Sequence, residues 1–223
     1  MRLRLSRPRR CDTFAMVGSL ALADFRRRVA DNYADAREGG SGPSAWMAWR
    51  MRRDEIFRNH PESPVPPAAR RGFRGMGFFP YDPTWRLEAT VVDAPGIGAG
   101  HEPAGLADAG ARFERLGDVV AQRGDHEIRL PLMWLDAYGG GLFLPFRDGT
   151  NGAETYGGGR YLLDQVKGAD LGATPDGRLV LDFNYAYHPS CAHDTRWTCP
   201  LAPPDAVISS PVRAGEMLPG SAA

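Results

Sequence analysis

Phe146-Arg-Asp-Gly-Thr-Asn-Gly-Ala-Glu-Thr-Tyr-Gly-Gly-Gly-Arg-Tyr-Leu162 carries two Asx-Gly pairs, Asp148-Gly149 and Asn151-Gly152, between apolar runs. Such pairs are the strongest short-range signal for a β-hairpin, because glycine supplies the positive φ that tight turns need. The runs on either side, 141–146 and 159–165, are therefore predicted strands. Further strands are expected outward from this block at 85–91, 111–116, 118–121, 127–135, 178–183 and 206–212. In the first of these Trp85, Leu87, Ala89 and Val91 alternate with Arg86, Glu88 and Thr90, the period of a half-buried strand. Turn signals separate most of them: Arg123-Gly-Asp125, the glycines 139–141 and Asp176-Gly177. Joins this short imply antiparallel pairing, since a parallel crossover needs a dozen residues or more.

The N-terminal third has a different period. Leu22, Phe25, Val29 and Tyr33 recur at helical spacing, with Ser19 or Asp24 near the start, and Gly39-Gly-Ser-Gly-Pro43 ends that helix. Ser44 is expected to cap a second helix over 45–58, whose one face holds Trp46, Trp49, Arg53, Ile56 and Phe57. An arginine inside that stripe either lies along it with its head in solvent or over an indole, or reaches into a pocket. His60-Pro-Glu-Ser-Pro-Val-Pro-Pro67 is predicted extended, because its prolines lack donors and restrain their neighbours. Phe73, Met76, Phe78, Phe79, Tyr81 and Trp85 then read as a core plug. Residues 94–110, rich in Gly, Ala and Pro, are expected to be a mobile loop.

The fold class expected is α+β, mainly β: a twisted antiparallel sheet closed as a barrel or sandwich, with two N-terminal helices packed on it. At 223 residues one domain suffices. It is placed over 16–223, helical at 16–58, an extended strap at 59–84 and β-rich at 85–216. Residues 1–15 are expected to be a disordered extension. Their arginines and the Ala21-Leu-Ala23 that follows imitate a signal peptide, but the helical stripe claims that run, so a cytoplasmic location is expected.

Formal charge is zero overall, and only Lys167 among 27 basic residues is lysine. That balance argues against a nucleic-acid partner, and no apolar run reaches the ~20 residues of a membrane span. The partner implied is a small molecule. Neither a cofactor nor an oligomeric state can be named from the residues.

Three groups of side chains carry chemistry. Thr155, Tyr156, three glycines and Arg160 combine hydroxyls, free amides and a guanidinium, suited to a carboxylate or phosphate. The alternative is a tight loop pinned by an Arg160 bridge to Asp148 or Asp182. Asp182 and Asn184 share one face of a strand end by the two-residue period, with Tyr187 beside them, a set suited to ligand hydrogen bonding. Cys191 and Cys199, flanked by His188 and His193, offer four N/S groups for zinc, a redox pair, or two packed thiols. No metal is expected, because the histidines lie too close in sequence to the cysteines for an easy tetrahedron.

Trp49 with Arg53, Pro61-Glu-Ser-Pro64, Phe78-Phe-Pro-Tyr-Asp82, Leu144-Pro-Phe-Arg-Asp148 and Thr155-Tyr-Gly-Gly-Gly-Arg-Tyr-Leu162 form an ordered series. Asp182-Phe-Asn-Tyr-Ala-Tyr187, Pro189-Ser-Cys191, Cys199-Pro200 and Ala214-Gly-Glu216 continue it. On these motifs the chain resembles the uncharacterised prokaryotic family catalogued as domain of unknown function 1684, from about Phe25 to Glu216. The resemblance implies no assigned reaction. Members usually read Tyr-Asn-Pro where this chain has Tyr187-His188-Pro189, and Glu-Asn where it has Asp205-Ala206, so an activity that needs those asparagines would be altered here.

Two functional expectations follow. One is a domain binding a small polar or anionic ligand in a pocket lined by Tyr156, Arg160, Asp182, Asn184 and Tyr187. The other is a small hydrolase, metal-assisted or not, using the same pocket with His188 or Cys191.

Overall fold

A computed structural model describes residues 13–93 and 112–218. The expected loop at 94–110, and residues 1–12 of the expected extension, lie outside the described residues. The first helix, α1 (Thr13–Glu38), begins inside that extension. The second, α2 (Pro43–Asn59), buries Trp46, Trp49, Arg53 and Phe57 along one stripe. Its start differs from expectation: Gly42 is the N-cap and Pro43 opens the first turn, while Ser44 is already helical. Proline is suited to that place, where its missing N–H has no helical acceptor to lose. The prolines after His60 keep the chain out of regular structure until the single turn α3 (Pro67–Arg70).

Seven strands then form one sheet: β2 (Arg86–Val92), β3 (Arg112–Arg123), β4 (His126–Asp136), β5 (Leu142–Asp148), β6 (Arg160–Asp164), β7 (Leu179–Asp182) and β8 (Val207–Ile208). Their order is β6-β5-β4-β3-β2-β7, all neighbours antiparallel. The two strands expected at 111–116 and 118–121 are one, β3, with a register shift between Arg115 and Gly117. A Cβ at Gly117 would lie 2.5 Å from the Val92 carbonyl oxygen, so the bulge needs glycine. The hairpin expected from the Asx-Gly block is present as β5–β6.

The sheet curls into a half-barrel. Among the described strands of this sheet antiparallel pairing has one exception, β8, which runs parallel to β5. A separate two-stranded sheet joins β1 (Gly77–Phe78) to β9 (Glu216–Met217). It ties the strap after the helices to the end of the described chain.

Strand alternation sorts neighbours into two cores. Leu132, Leu144 and Leu162 join Leu87, Val119, Leu130, Leu181 and Phe183 on one face of the sheet. Met133, Phe143 and Tyr161, one residue away in each strand, join Tyr33, Trp46, Trp49, Phe78 and Tyr185 in the other. The helices thus cover one sheet face with aromatic side chains, and strands buried on both faces lose the polar half of their pattern.

Candidate functional site

Glu216 is buried completely at the start of β9. Before it, Gly215 has φ of 85°, and a Cβ there would lie 2.6 Å from the Ala186 carbonyl oxygen and 2.7 Å from that of Phe183. Only glycine permits this turn. The turn delivers Glu216 beside α2, where Arg53 Nε donates to its Oε1 at 2.6 Å. Its Oε2 accepts the His188 main-chain N–H at 2.7 Å. The Arg53 guanidinium lies 4.3 Å from the Phe57 ring centre, 4.8 Å from Tyr187 and 5.7 Å from Trp49. Burial raises the Glu216 pKa, but the charge and hydrogen bond of Arg53 outweigh it, and the net shift is below the usual value. The carboxylate stays ionised, held by a cation among aromatic faces.

His188 Nε2 accepts the Tyr156 main-chain N–H at 3.2 Å. That bond leaves the proton of the neutral ring on Nδ1, 3.9 Å from Glu216 Oε2. Burial pulls His188 down to about 4, so it is neutral at pH 7. His193 is lowered too, again by burial first. Its ring stands edge-on to Phe57 at 6.0 Å and 6.4 Å from His188. His193 Nε2 is buried and has no hydrogen-bond partner.

These groups line a cleft of about 450 Å³. Val65, Pro66, Phe73, Met76, Met217 and Leu218 make its apolar sides, with Arg74, His188, His193 and Glu216 as its polar members. Size and composition match small-molecule sites, which are mostly apolar with few fixed polar groups. A wider groove of about 520 Å³ runs between α1 and α2. Several of its charges are already paired, Asp24 with Arg28 and Asp35 with Arg52, so it offers less to a ligand.

A family model described as "Protein of unknown function (DUF1684)" matches residues 71–217. The chain belongs to this family. It is also similar to a solved structure, the solution NMR structure of the uncharacterized protein from gene locus rrnAC0354 of Haloarcula marismortui. That protein is 29% identical, with a TM-score of 0.52 over 78% of this chain and 93% of its own. No curated protein matches the sequence.

In this DUF1684 chain the five residues expected to line one pocket each have partners within the fold. Arg160 pairs with Asp148 at 2.8 Å and not with Asp182. Its guanidinium also donates to the carbonyls of Val212 at 2.7 Å, Ala214 at 2.5 Å and Glu216 at 3.3 Å. Asp182 and Asn184 do come together, but through a 3-10 turn over Phe183–Tyr185 rather than a strand pleat. Asp182 Oδ1 accepts the Asn184 main-chain N–H at 3.0 Å and its Nδ2 at 2.7 Å. Asn184 exchanges two bonds with the Asp82 backbone, both 2.9 Å, which pins the chain before β2 to the end of β7. Tyr187 donates to Asp164 Oδ2 at 3.3 Å, and Tyr156 Oη lies 3.8 Å from Cys191 Sγ.

The cysteine–histidine group divides in two. Cys191 and Cys199 are free thiols near each other, whereas His188 and His193 face the cleft. Among the described residues no group of three or more His, Cys, Asp or Glu side chains is arranged to hold a metal ion. None of the described helices is long and apolar enough to cross a membrane. Sequence reasoning missed Glu216 as a site residue. Its available signal was a lone carboxylate after a glycine in Val212-Arg-Ala-Gly-Glu-Met217, which has no meaning until Arg53 is beside it.

Proposed function

We propose that this chain binds a small molecule with an apolar body and an uncharged hydrogen-bonding head in the cleft between α3 and β9. The observation that carries this is His193 Nε2, a buried polar atom without a partner among mostly apolar walls. Such an atom costs about 1–3 kcal/mol unless something bonds to it, and a ligand head group supplies the bond. Glu216 is already paired with Arg53, and Arg74 lines the cleft as well, so the preference for an uncharged head rests on the neutral His193 ring, which a hydroxyl can pair with in either tautomer. The location differs from the one expected around Arg160 and Asp182, whose hydrogen bonds are internal. Hydrolysis has less support. His188 Nε2 already receives an amide N–H, and Cys191 is held protonated by its bond to Cys199 and by burial.

The test is a titration with benzyl alcohol and, separately, benzoate, followed by NMR of the histidine rings and the Leu218 methyls. Saturable shifts at His193 and Leu218 with the alcohol, weaker with benzoate, are expected. Tighter binding of benzoate, or shifts spread over the surface, would overturn the proposal.

A further inference from the structure

The two cysteines face away from this function, and their geometry has its own chemistry. Pro189 starts a 3-10 turn over Ser190–Ala192, and Cys199 folds back beneath it. The Cys191 main-chain N–H donates to Cys199 Sγ at 3.3 Å. Sulfur is a weak acceptor when protonated. A backbone donor aimed at a buried sulfur therefore favours its thiolate. Cys191 is partly exposed, Cys199 buried, and the Tyr156 hydroxyl lies 3.8 Å from the Cys191 sulfur, so Tyr156, Cys191 and Cys199 run from surface to interior.

We propose that Cys191 and Cys199 form a peroxide-sensitive modification site, with Cys199 as the attacking and Cys191 as the resolving thiol. The Cys199 thiolate attacks one oxygen of hydrogen peroxide; the O–O bond breaks, an S–O bond forms, and hydroxide leaves to be protonated to water. The Cys191 sulfur then attacks the Cys199 sulfenic acid, giving up its proton to the departing hydroxyl as a second water. Two thiols are oxidised to one disulfide and one peroxide is reduced to two waters. The bond from Cys191 lowers Cys199 to about 6 and burial opposes it, while the same bond raises Cys191. The roles follow from the Cys191 N–H aimed at the Cys199 sulfur, and that asymmetry agrees with them. The proposal makes no use of the cleft.

The experiment uses the full chain carrying Cys11→Ser, so that only this pair remains, exposed at pH 7 to a one- to tenfold excess of hydrogen peroxide. Loss of two hydrogens in the intact mass is expected. Trypsin cuts at Arg196, between the cysteines, so the digest should contain two peptides joined by the bond. Adding Cys191→Ser should leave Cys199 as a sulfenic acid trapped by dimedone, and adding Cys199→Ser should slow oxidation of the remaining thiol at least tenfold. Iodoacetamide alkylation of the Cys11→Ser chain should show a midpoint near pH 6. No disulfide, a disulfide between chains, or equal reactivity of the two single-thiol variants would overturn the proposal; circular dichroism of each variant confirms that the comparison is between folded proteins.

Discussion

Arg160 and Arg53 are both buried and each faces one carboxylate, yet they hold the molecule in different ways. Arg160 has no exposed surface, and beyond Asp148 it bonds three carbonyls of the segment that leads into β9. Asp148 adds to this by accepting the Thr150 and Val212 amides, at 2.8 Å and 3.1 Å. Arg53 has a single carboxylate and is otherwise surrounded by aromatic faces. The first is a hub of main-chain bonds and the second a charge pair in an apolar cage. The Arg53 pair borders the cleft, because Glu216 lines it.

The largest effect is expected where the main chain depends on the side chain. Arg160→Ala should cost about 3–5 kcal/mol, as removal of one partner of a buried pair does. Replacing Asp148 and Arg160 together, by Asn and Met, should recover little, because three buried carbonyls still lose their donor. Urea unfolding measures both. Near-complete recovery in the double variant would reduce Arg160 to a charge pair and erase the distinction from Arg53.

Arg53→Met should cost somewhat less, about 3 kcal/mol, by stranding Glu216. Adding Glu216→Gln should restore stability to within about 1 kcal/mol, since an amide oxygen still accepts the His188 N–H and no charge is left buried. A double-mutant cycle with a coupling near zero would show that the two side chains do not depend on each other.

How far each pair could be read in the chain follows from the range of its partners. The β5–β6 hairpin and the β3–β4 pairing were legible because their turn residues lie between the strands they join. The β5–β8 pair was not: it is two residues long, parallel, and its halves lie about 60 residues apart. Asp148 was a foreseen partner of Arg160, twelve residues away and carried on the hairpin itself. Arg53 was conspicuous within its apolar stripe, but Glu216 lies 163 residues further on, and no local pattern connects them. The cleft was illegible for the same reason. Its walls come from the proline strap, the turn after His188 and β9, which the β1–β9 pairing, the His188 N–H on Glu216 and the Arg196 bond to Ser63 bring together. The expected closure as a barrel or sandwich also went beyond what strand periodicity carries, since alternation specifies faces and not curvature, and the sheet curls into a half-barrel.

The cleft side should also be the acid-sensitive one. His188 titrates at about 4 when folded and near 6.5 when unfolded. Between those values the unfolded chain binds the proton more readily, so stability should fall as pH drops from 6.5 to 4, by about 3 kcal/mol at 1.36 kcal/mol per unit. Glu216 is depressed below its usual value, so its contribution should be lost only at still lower pH. His188→Gln, whose amide oxygen can accept the Tyr156 N–H, should flatten the upper part of the profile. An unchanged slope would place the acid sensitivity elsewhere.

The smallest effect on stability separates the two regions most clearly. His193→Leu keeps the volume packed against Phe57 but removes a buried nitrogen that bonds to nothing. Because an unsatisfied buried group is a cost to the folded state, this change should be neutral or should stabilise by up to about 1 kcal/mol. The same change should weaken benzyl alcohol about tenfold, the equivalent of one lost hydrogen bond of about 1.4 kcal/mol. At Arg160 no substitution is expected to gain stability, since its bonds are internal to the fold. A residue that trades stability for binding is the mark of a site and not of a scaffold. If His193→Leu destabilised by 2 kcal/mol or more, or left the affinity unchanged, His193 would belong with Arg160 among the residues that only hold the chain together.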